Sequence, residues 1–171
     1  WAKGIDLETG RPIENPEARY GTGMAVVTPP PFGGHNWHPM SYSPDTGLVY
    51  IPAHELAFTY KADVDAAHNE DGFNAKVDFR AGELPATEAE RRALTKQNIR
   101  AKLLAWDPVN QKEAWSVPYG RIWNGGTLAT AGNLVFQGRT DQTFAAFNAR
   151  SGELLWQIPI GSGIVGGPVS Y

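Results

Sequence analysis

The sequence predicts an all-β protein with one short helical insert, and three observations support this prediction. Short runs rich in β-branched and aromatic residues recur along the 171-residue chain. Clusters of Gly, Asn, Asp, Pro and Ser separate these runs. The segments AWDPVNQKEAW (105–115) and AFNARSGELLW (146–156) also repeat the same pattern at a spacing of 41 residues. A fixed period of this length is typical of repeat architectures.

The composition bounds the classes of function. The chain is 42% hydrophobic and 19% charged, which is typical of a globular protein. Its net charge is −3 and it has no basic run, so we expect no nucleic-acid partner. The absence of cysteine excludes disulfides, thiolate metal sites and covalent haem attachment within these residues. The chain starts with Trp1 and contains no apolar run of membrane-spanning length. We expect it to be part of a larger molecule.

Each repeat contains the elements of a small antiparallel sheet. NLVFQG (133–138) and TFAAFNA (143–149) predict strands, and EAWSVPY (113–119) and ELLWQIPI (153–160) predict returning strands. The segments DPVNQK, NARSGE and DLETG predict turns, because an Asx residue opens each of them. Four short strands in about 40 residues form one blade of a β-propeller. A third, degenerate copy spans residues 4–14, with Asp6 in the Asp position and Glu14 in place of the tryptophan.

An insert interrupts one repeat. GLVYIPA (47–53) resembles GNLVFQG (132–138), but the spacing is 86 residues, which leaves about 45 extra residues over roughly 54–100. LPATEAERRALTKQNIRAKL (84–103) predicts a helix, with Thr87 and Glu90 spaced as a capping box. The preceding residues, 61–79, predict a loop. Such an insert lies on one face of a propeller and is often functional.

These repeats resemble the tryptophan-docking motif of eight-bladed quinoprotein alcohol dehydrogenases, Ala-x-Asp-x-x-x-Gly-x-x-x-Trp. Asn148 stands in the Asp position of one copy, and Gln111 stands in the Gly position of the other. The order GGHNWHPMSYSPDTGLVYIPA, LLAWDPV, WNGGTLATAGNLVFQG and SGIVGGPVSY is similar to the C-terminal blades of these enzymes, especially their quinohaemoprotein branch. The resemblance implies that residues 1–171 are the C-terminal part of an eight-bladed quinoprotein propeller domain.

The resemblance also implies cofactors and partners. The family carries pyrroloquinoline quinone (PQQ), a planar tricarboxylate, and a calcium ion. Its stacking tryptophan, adjacent cysteines, calcium ligands and catalytic aspartate belong to earlier blades, and none of those motifs is present here. We therefore expect no catalytic residue in this chain and no activity from it alone. The expected partners are the remaining blades, a small alcohol and cytochrome c, and a haem c domain could follow.

Four residues are predicted to contact the cofactor by resemblance: Asn36, Trp37, Asn124 and Val165. Ile164 is the alternative to Val165 on the same turn. Asn36 and Trp37 offer an amide and an indole N–H, which suit a carboxylate rim. The residues alone favour the structural interpretation, in which Asn36 caps a turn and Trp37 belongs to the core, and only the resemblance favours the cofactor role. Asn124 follows Trp123 before two glycines, and this corner could equally be a turn at the start of a blade.

The remaining candidates are interpreted as structural. His35 and His38 have a spacing that converges only on a helix, which GGHNWHP does not form, so we expect no metal site there. His54 and His68 are expected to be solvent-exposed or structural. Trp106, Trp115 and Trp156 are interpreted as docking residues between blades. Loss of Trp156 is expected to cost several kcal/mol, as for other core aromatics.

The leading hypothesis is an oxidoreductase: part of a periplasmic, PQQ- and calcium-dependent alcohol dehydrogenase that oxidises primary alcohols to aldehydes. Its electrons would pass to cytochrome c or to a fused haem domain. The alternative is a non-catalytic propeller scaffold for protein–protein interaction, of the outer-membrane assembly type. Such a scaffold needs the docking tryptophans but not HNWHPM or WNGG.

Overall fold

The computed structural model describes residues 1–21, 23–72, 74–82, 87–90, 93 and 100–171. Its elements are β1 (Ala2–Ile5), β2 (Pro12–Glu14), a 3-10 helix (Pro16–Ala18), β3 (Met24–Val27), β4 (Ser41–Ser43), β5 (Leu48–Glu55), β6 (Phe58–Lys61), β7 (Arg100–Asp107), β8 (Lys112–Tyr119), β9 (Thr127–Thr130), β10 (Leu134–Gly138), β11 (Thr143–Asn148) and β12 (Leu154–Pro159). The chain divides into a smaller unit, 1–31 and 56–93, and a larger unit, 32–55 and 94–171. Within the described residues, no helix has the length and apolarity needed to cross a membrane.

The larger unit consists of two four-stranded antiparallel sheets, which we name the first and second blades. The first blade has the strand order β4-β5-β7-β8, and the second has the order β9-β10-β11-β12. In both sheets each strand pairs with the next one along the chain of the unit, from an inner strand (β4 or β9) to an outer one (β8 or β12). The predicted all-β class and the predicted four-stranded blade are both confirmed.

The three copies of the docking turn share one local geometry. In each copy a carboxylate or carboxamide oxygen accepts hydrogen bonds from the backbone N–H groups two and three residues later; the accepting residues are Asp6, Asp107 and Asn148. The residue four positions later has a positive φ: 68° at Gly10, 53° at Gln111 and 74° at Gly152. The motif repeats because this turn is specified by local chemistry.

The core of the larger unit lies between the two blades. Alternate residues of β7 are buried, because alternate side chains of a strand point to the same face. The fully buried cluster combines residues of both blades: Tyr50, Leu103, Ala105, Val135, Ala145, Phe147 and Ala149. The Thr127 hydroxyl also donates to the Tyr50 carbonyl at 3.0 Å, which joins the inner part of the second blade to the first.

Trp115 docks the first blade onto the second. Its indole N–H donates to the Ala149 carbonyl at 3.1 Å, and the Tyr50 hydroxyl donates to the same carbonyl at 2.9 Å. The indole ring covers Gly152, where an added Cβ would lie only 2.5 Å from the ring. The predicted packing of a docking tryptophan between blades is therefore seen at Trp115.

Trp156, the counterpart of Trp115 on β12, is not a core residue of this chain. It is 48% exposed, because the part of the chain that the structure describes places no further blade against β12. The expectation that its loss costs several kcal/mol is therefore wrong for the 171-residue chain. The expectation came from the motif, and the motif does not say whether a partner blade is present.

The insert is described in part. Thr87 and Glu90 form the predicted capping box, since the Thr87 hydroxyl donates to the Glu90 carboxylate at 2.6 Å and accepts from the Glu90 N–H at 3.3 Å. Residues 88–90 and 93 are helical, and most of the rest of the predicted helix lies outside the described residues. Its last part, 100–103, is wrong: these residues begin β7, because pairing with β5 overrides local helix propensity.

Two further segments differ from expectation. Phe58–Lys61 forms β6 and pairs with β3 in the smaller unit, although the polar insert gave no strand signal. GGPVSY (166–171) has a sequence like that of GGTLAT (125–130), whose last four residues form β9, but residues 168–171 form no strand. A strand needs a partner to satisfy its backbone groups, and no strand of the described residues pairs with this segment.

Candidate functional site

Three turns meet beside the inner strands of the two blades, and we name this surface the inner-turn face. It comprises residues 32–39, 121–126 and 161–167. Pro39 lies against two glycines of the other turns: an added Cβ would lie 2.3 Å from its Cγ at Gly126 and 2.5 Å at Gly167. No larger residue fits at either position without displacing Pro39. The glycines therefore permit the three turns to approach each other.

Gly125 joins the second and third turns. Its N–H donates to the Gly138 carbonyl at 2.8 Å, and an added Cβ would lie 2.5 Å from the Gly166 carbonyl oxygen. The turn that carries Asn124 therefore lies directly against the turn that carries Val165. The structure brings the segments of all four predicted contact residues into one surface.

The Asn36 carboxamide holds its own turn. Its Nδ2 donates to the Phe32 carbonyl at 2.9 Å, and its Oδ1 accepts from the Trp37 N–H at 2.8 Å. An Asn carboxamide has two N–H donors, so one amide hydrogen is left after these bonds. Asn36 therefore caps its turn, as one of the two interpretations predicts. It also retains one N–H donor for a further partner.

Trp37 is exposed and does not belong to the core. The residue is 64% exposed, and its ring stacks on the His38 imidazole with a centroid distance of 4.2 Å and an interplanar angle of 21°. Such a stack fixes the orientation of the indole while its other face meets solvent. The core interpretation of Trp37 is wrong, and the residue presents a flat aromatic surface on the inner-turn face.

Asn124 is buried and braces the second turn. Its Nδ2 donates to the Arg121 carbonyl at 2.6 Å, and its Oδ1 accepts from the Thr140 N–H at 3.1 Å. Trp123, next to it, has a φ of 63°, a conformation that is costly for a bulky residue and that these bonds hold in place. Val165 lies partly exposed on the third turn. The roles of these residues toward a cofactor stay predictions.

Two histidines lie beneath this surface. His38 and His54 are 2% and 5% exposed, and their rings lie 5.4 and 5.7 Å from the Trp123 ring. Neither Nε2 has a hydrogen-bond partner among the described residues. Burial is the main cause that lowers the pKa of each imidazole from its ordinary value, and the nearby His35 lowers the pKa further. His54 is therefore structural rather than exposed.

His35 lies near this pair, and its Nδ1 is 2.9 Å from the Pro52 carbonyl oxygen. No group of three or more His, Cys, Asp or Glu side chains in the described part of the chain has a geometry that could hold a metal ion.

The electrostatics of the inner-turn face favour an anion. The three turns, FGGHNWHP, RIWNGG and GSGIVGG, contain no Asp or Glu and one Arg, Arg121. Trp37, which is exposed, adds an indole N–H donor.

Sequence reasoning missed the residues that support the second turn. Gln137 is fully buried in β10 and donates through Nε2 to the Gly125 carbonyl at 2.8 Å. The Tyr119 hydroxyl donates to Gln137 Oε1 at 2.8 Å. The one available signal was a polar residue in the apolar run NLVFQG, because a buried amide requires partners.

Comparison with known proteins identifies the family. Residues 9–171 match the profile of the PQQ family, described as the glucose/ethanol/alcohol dehydrogenase β-propeller domain. The chain belongs to this family. It is 46% identical over its whole length to quinohemoprotein alcohol dehydrogenase ADH IIB of Pseudomonas putida, and 42% identical to 1-butanol dehydrogenase (cytochrome c) of Thauera butanivorans. It covers 24% of each of these relatives, so it spans about a quarter of their length.

Solved structures of the family agree with the fold of the chain. The quinohemoprotein alcohol dehydrogenase ADHIIG of Pseudomonas putida superposes with a TM-score of 0.86 at 44% identity. The Comamonas testosteroni enzyme superposes with a TM-score of 0.85 at 42% identity. Each match covers all of this chain and 25% of the other. The two blades are therefore propeller blades of the quinoprotein type.

Proposed function

We propose that this chain is part of a PQQ- and calcium-dependent alcohol dehydrogenase that oxidises primary alcohols to aldehydes. The observation that carries the proposal is the inner-turn face, which joins an exposed indole to a surface without acidic side chains. The face occurs in a member of the PQQ propeller family, whose cofactor is a planar tricarboxylate. Bound PQQ supplies the acceptor for the hydride of the alcohol.

The residues of the inner-turn face have separate tasks in this proposal. Trp37 provides the flat contact, and its indole N–H together with the remaining amide hydrogen of Asn36 binds carboxylate oxygens. Arg121 contributes positive charge at the edge. Asn124 holds the second turn in position through its bonds to Arg121 and Thr140, and Val165 borders the cofactor from the third turn.

Calcium and the catalytic base are assigned to other parts of the protein. The inner-turn face has no carboxylate, and oxygen-rich ligation is what calcium requires. We therefore place the calcium ligands and the proton-accepting carboxylate outside this chain and assign it no catalytic residue. The 171-residue chain on its own is expected to be inactive.

The proposed partners follow from the blades and from the relatives. Strand β12 exposes Trp156 and several aliphatic side chains, a surface suited to a further blade of the same protein. One relative is named as a cytochrome c-linked 1-butanol dehydrogenase and another as a quinohemoprotein. We propose cytochrome c or a fused haem c domain as electron acceptor, and the periplasm as the compartment.

Reconstitution of the full-length protein tests this function. The apoprotein is combined with PQQ and Ca²⁺ and assayed on ethanol and 1-butanol with an artificial electron acceptor. We expect turnover that requires both additions, and none from the 171-residue chain under the same conditions. A scaffold propeller would neither bind PQQ nor oxidise alcohols, and turnover by the short chain alone would contradict the assignment of catalysis to other blades.

A further inference from the structure

Residues 137–140 of the second blade form a clamp around the turn that carries Asn124. The Gly138 carbonyl accepts from the Gly125 N–H at 2.8 Å, and the Thr140 hydroxyl donates to the Ile122 carbonyl at 3.1 Å. The Thr140 N–H donates to the Asn124 carboxamide oxygen. We name residues 137–140 the clamp segment. It holds the second turn through the backbone of Ile122 and Gly125 and the side chain of Asn124.

The clamp segment also reaches the third turn. The Arg139 carbonyl accepts from the Ile164 N–H at 3.0 Å. An added Cβ at Gly138 would lie 2.1 Å from Ile164 Cγ2, so this glycine lets Ile164 pack directly on the segment. Two of the three turns of the inner-turn face are thus positioned by four residues at the end of β10.

Gln137 is the buried centre of this clamp. Its Nε2 donates to the Gly125 carbonyl, while the Gly125 N–H binds the next residue of the clamp, so Gly125 is held by both its donor and its acceptor. Gln137 is fully buried, and removing its carboxamide leaves the Gly125 carbonyl without this partner in a place that water does not reach. An unsatisfied buried acceptor is costly, and the turn relieves that cost by moving.

Tyr119 connects the clamp to the first blade. It is the last residue of β8, and its hydroxyl donates to Gln137 Oε1 at 2.8 Å. The Arg139 guanidinium lies 5.2 Å from the centre of the Tyr119 ring, a cation–π distance. Burial raises the pKa of the Tyr119 phenol, so it remains a donor. One side chain of the first blade therefore contacts two residues of the clamp segment.

We propose that Gln137 is a positioning residue of the PQQ site. Its carboxamide fixes the position of the Gly125 peptide group. The bond from Tyr119 to Gln137 makes that position depend on whether the first blade is docked against the second. The inference rests on the proposed function, because it concerns how the same surface is shaped for its ligand. Gln137 itself does not touch the ligand. It acts through the backbone that carries Asn124.

The chain offers a matched control in Tyr50. Its hydroxyl is also buried and also bonds from the first blade to the second, where it donates to the Ala149 carbonyl in the docking turn instead of to the clamp. It is also within hydrogen-bond distance of the Thr46 hydroxyl in its own blade, at 2.7 Å. Tyr50→Phe and Tyr119→Phe therefore remove the same chemical group from the same interface, but only the Tyr119 hydroxyl bonds to the clamp segment.

The test measures PQQ affinity and hydrogen exchange in the full-length protein. Gln137→Met and Tyr119→Phe are compared with Tyr50→Phe and wild type, by equilibrium binding of PQQ with Ca²⁺ present and by amide exchange at residues 125–127 of the apoprotein. We expect the two clamp variants to weaken PQQ binding by about tenfold and to speed exchange at 125–127. Tyr50→Phe should stay within about twofold of wild type in both measurements at a comparable loss of thermal stability.

Two results would overturn the inference. Equal PQQ affinities for Tyr119→Phe, Tyr50→Phe and wild type, with unchanged exchange at 125–127, would show that the clamp has a general structural role only. If wild type does not bind PQQ, the proposed function is refuted, and the inference then no longer concerns a PQQ site. Faster exchange at 125–127 in both clamp variants would in that case show only that the clamp holds the second turn. If Gln137→Met fails to fold, Tyr119→Phe is the deciding variant.

Discussion

One position in each docking turn has a positive φ, and the residue at that position is not always glycine. Gly10 and Gly152 adopt positive φ at the fourth position after the Asx residue, and Gln111 does so in the remaining copy. A residue with a Cβ is disfavoured there because the Cβ approaches the following carbonyl. Gln111 therefore introduces local strain that the other two turns avoid.

Replacing Gln111 by glycine is expected to stabilise the first blade. The Gln111→Gly variant relieves the strain of a φ of 53°. We expect this relief to outweigh the conformational entropy that glycine adds to the unfolded chain. The free energy of unfolding should therefore rise by about 0.5–1 kcal/mol. Denaturant titration measures it. Gly152→Ala is the opposite control, since its Cβ would meet the Trp115 ring and should destabilise. A lower stability for Gln111→Gly than for wild type would contradict this account of the turn.

The buried histidines predict a dependence of stability on pH. The pKa values of His38 and His54 are lowered in the folded protein, so below about pH 6.5 the unfolded chain binds protons that the folded chain does not. Stability is retained above that pH and falls as the pH drops, by at most about 1.4 kcal/mol per pH unit for each group. Denaturation between pH 5 and 7 measures the slope.

A His38→Phe variant separates this effect from the titration of carboxylates. Phenylalanine keeps a flat ring beneath Trp37 but cannot bind a proton, so the slope between pH 5 and 7 should decrease. Carboxylates titrate mainly below pH 5, so they contribute little to the slope of stability against pH in this range. An unchanged slope would mean that His38 does not contribute to the pH dependence of stability.

At the residue scale, the sequence predicted which segments form the inner-turn face but not the contacts that their side chains make. Asn36, Trp37, Asn124 and Val165 came from the family resemblance, and the structure places their segments together. The stacking of Trp37 on His38 could not be predicted, because it depends on a sharp turn between sequence neighbours. Gln137 was missed because its partners, Gly125 and Tyr119, lie on other segments and are identified only by folding.

Among the elements, those whose signal is local were predicted and those that depend on a distant partner were not. The Asx turns, the capping box of Thr87 and the strands β8, β10, β11 and β12 follow from short sequence patterns. Strand β6 depends on pairing with β3, and the first residues of β7 depend on pairing with β5. The last residues have a strand-like sequence but no partner strand in the described chain.

Trp115 and Trp156 occupy the same position in their repeats, but we expect their loss to change the stability of the chain by different amounts. Trp115→Ala should lower the free energy of unfolding of the 171-residue chain by about 3–5 kcal/mol, because it loses its packing on Gly152 and its bond to Ala149. Trp156→Ala should cost about 1 kcal/mol or less, since this side chain is half exposed. Thermal or denaturant unfolding of both variants measures the difference.

The same pair of variants tests the role of β12 in the full-length protein. If a further blade covers β12, Trp156→Ala should become about as costly there as Trp115→Ala, because both indoles would then be docked. Equal small effects of Trp156→Ala in the short chain and the full-length protein would contradict the presence of such a blade.

For the whole molecule, the family is established and the reaction is proposed. The match over residues 9–171 and the superposition on quinohemoprotein enzymes identify the blades, while the chain covers about a quarter of those relatives. The contribution of this quarter, in our account, is one side of a cofactor site. In the function we propose, this quarter recognises and positions the cofactor, and the base and the calcium ligands are assigned to other blades.

If the inner-turn face binds PQQ through Trp37, as we propose, then replacing Trp37 must weaken PQQ binding when the full-length apoprotein is titrated with PQQ. Wild type is compared with Trp37→Ala and with Tyr42→Ala, an exposed aromatic residue on the neighbouring strand β4. We predict that Trp37→Ala weakens PQQ binding by about tenfold or more while Tyr42→Ala binds as wild type does. Equal affinities for wild type and Trp37→Ala would contradict the account.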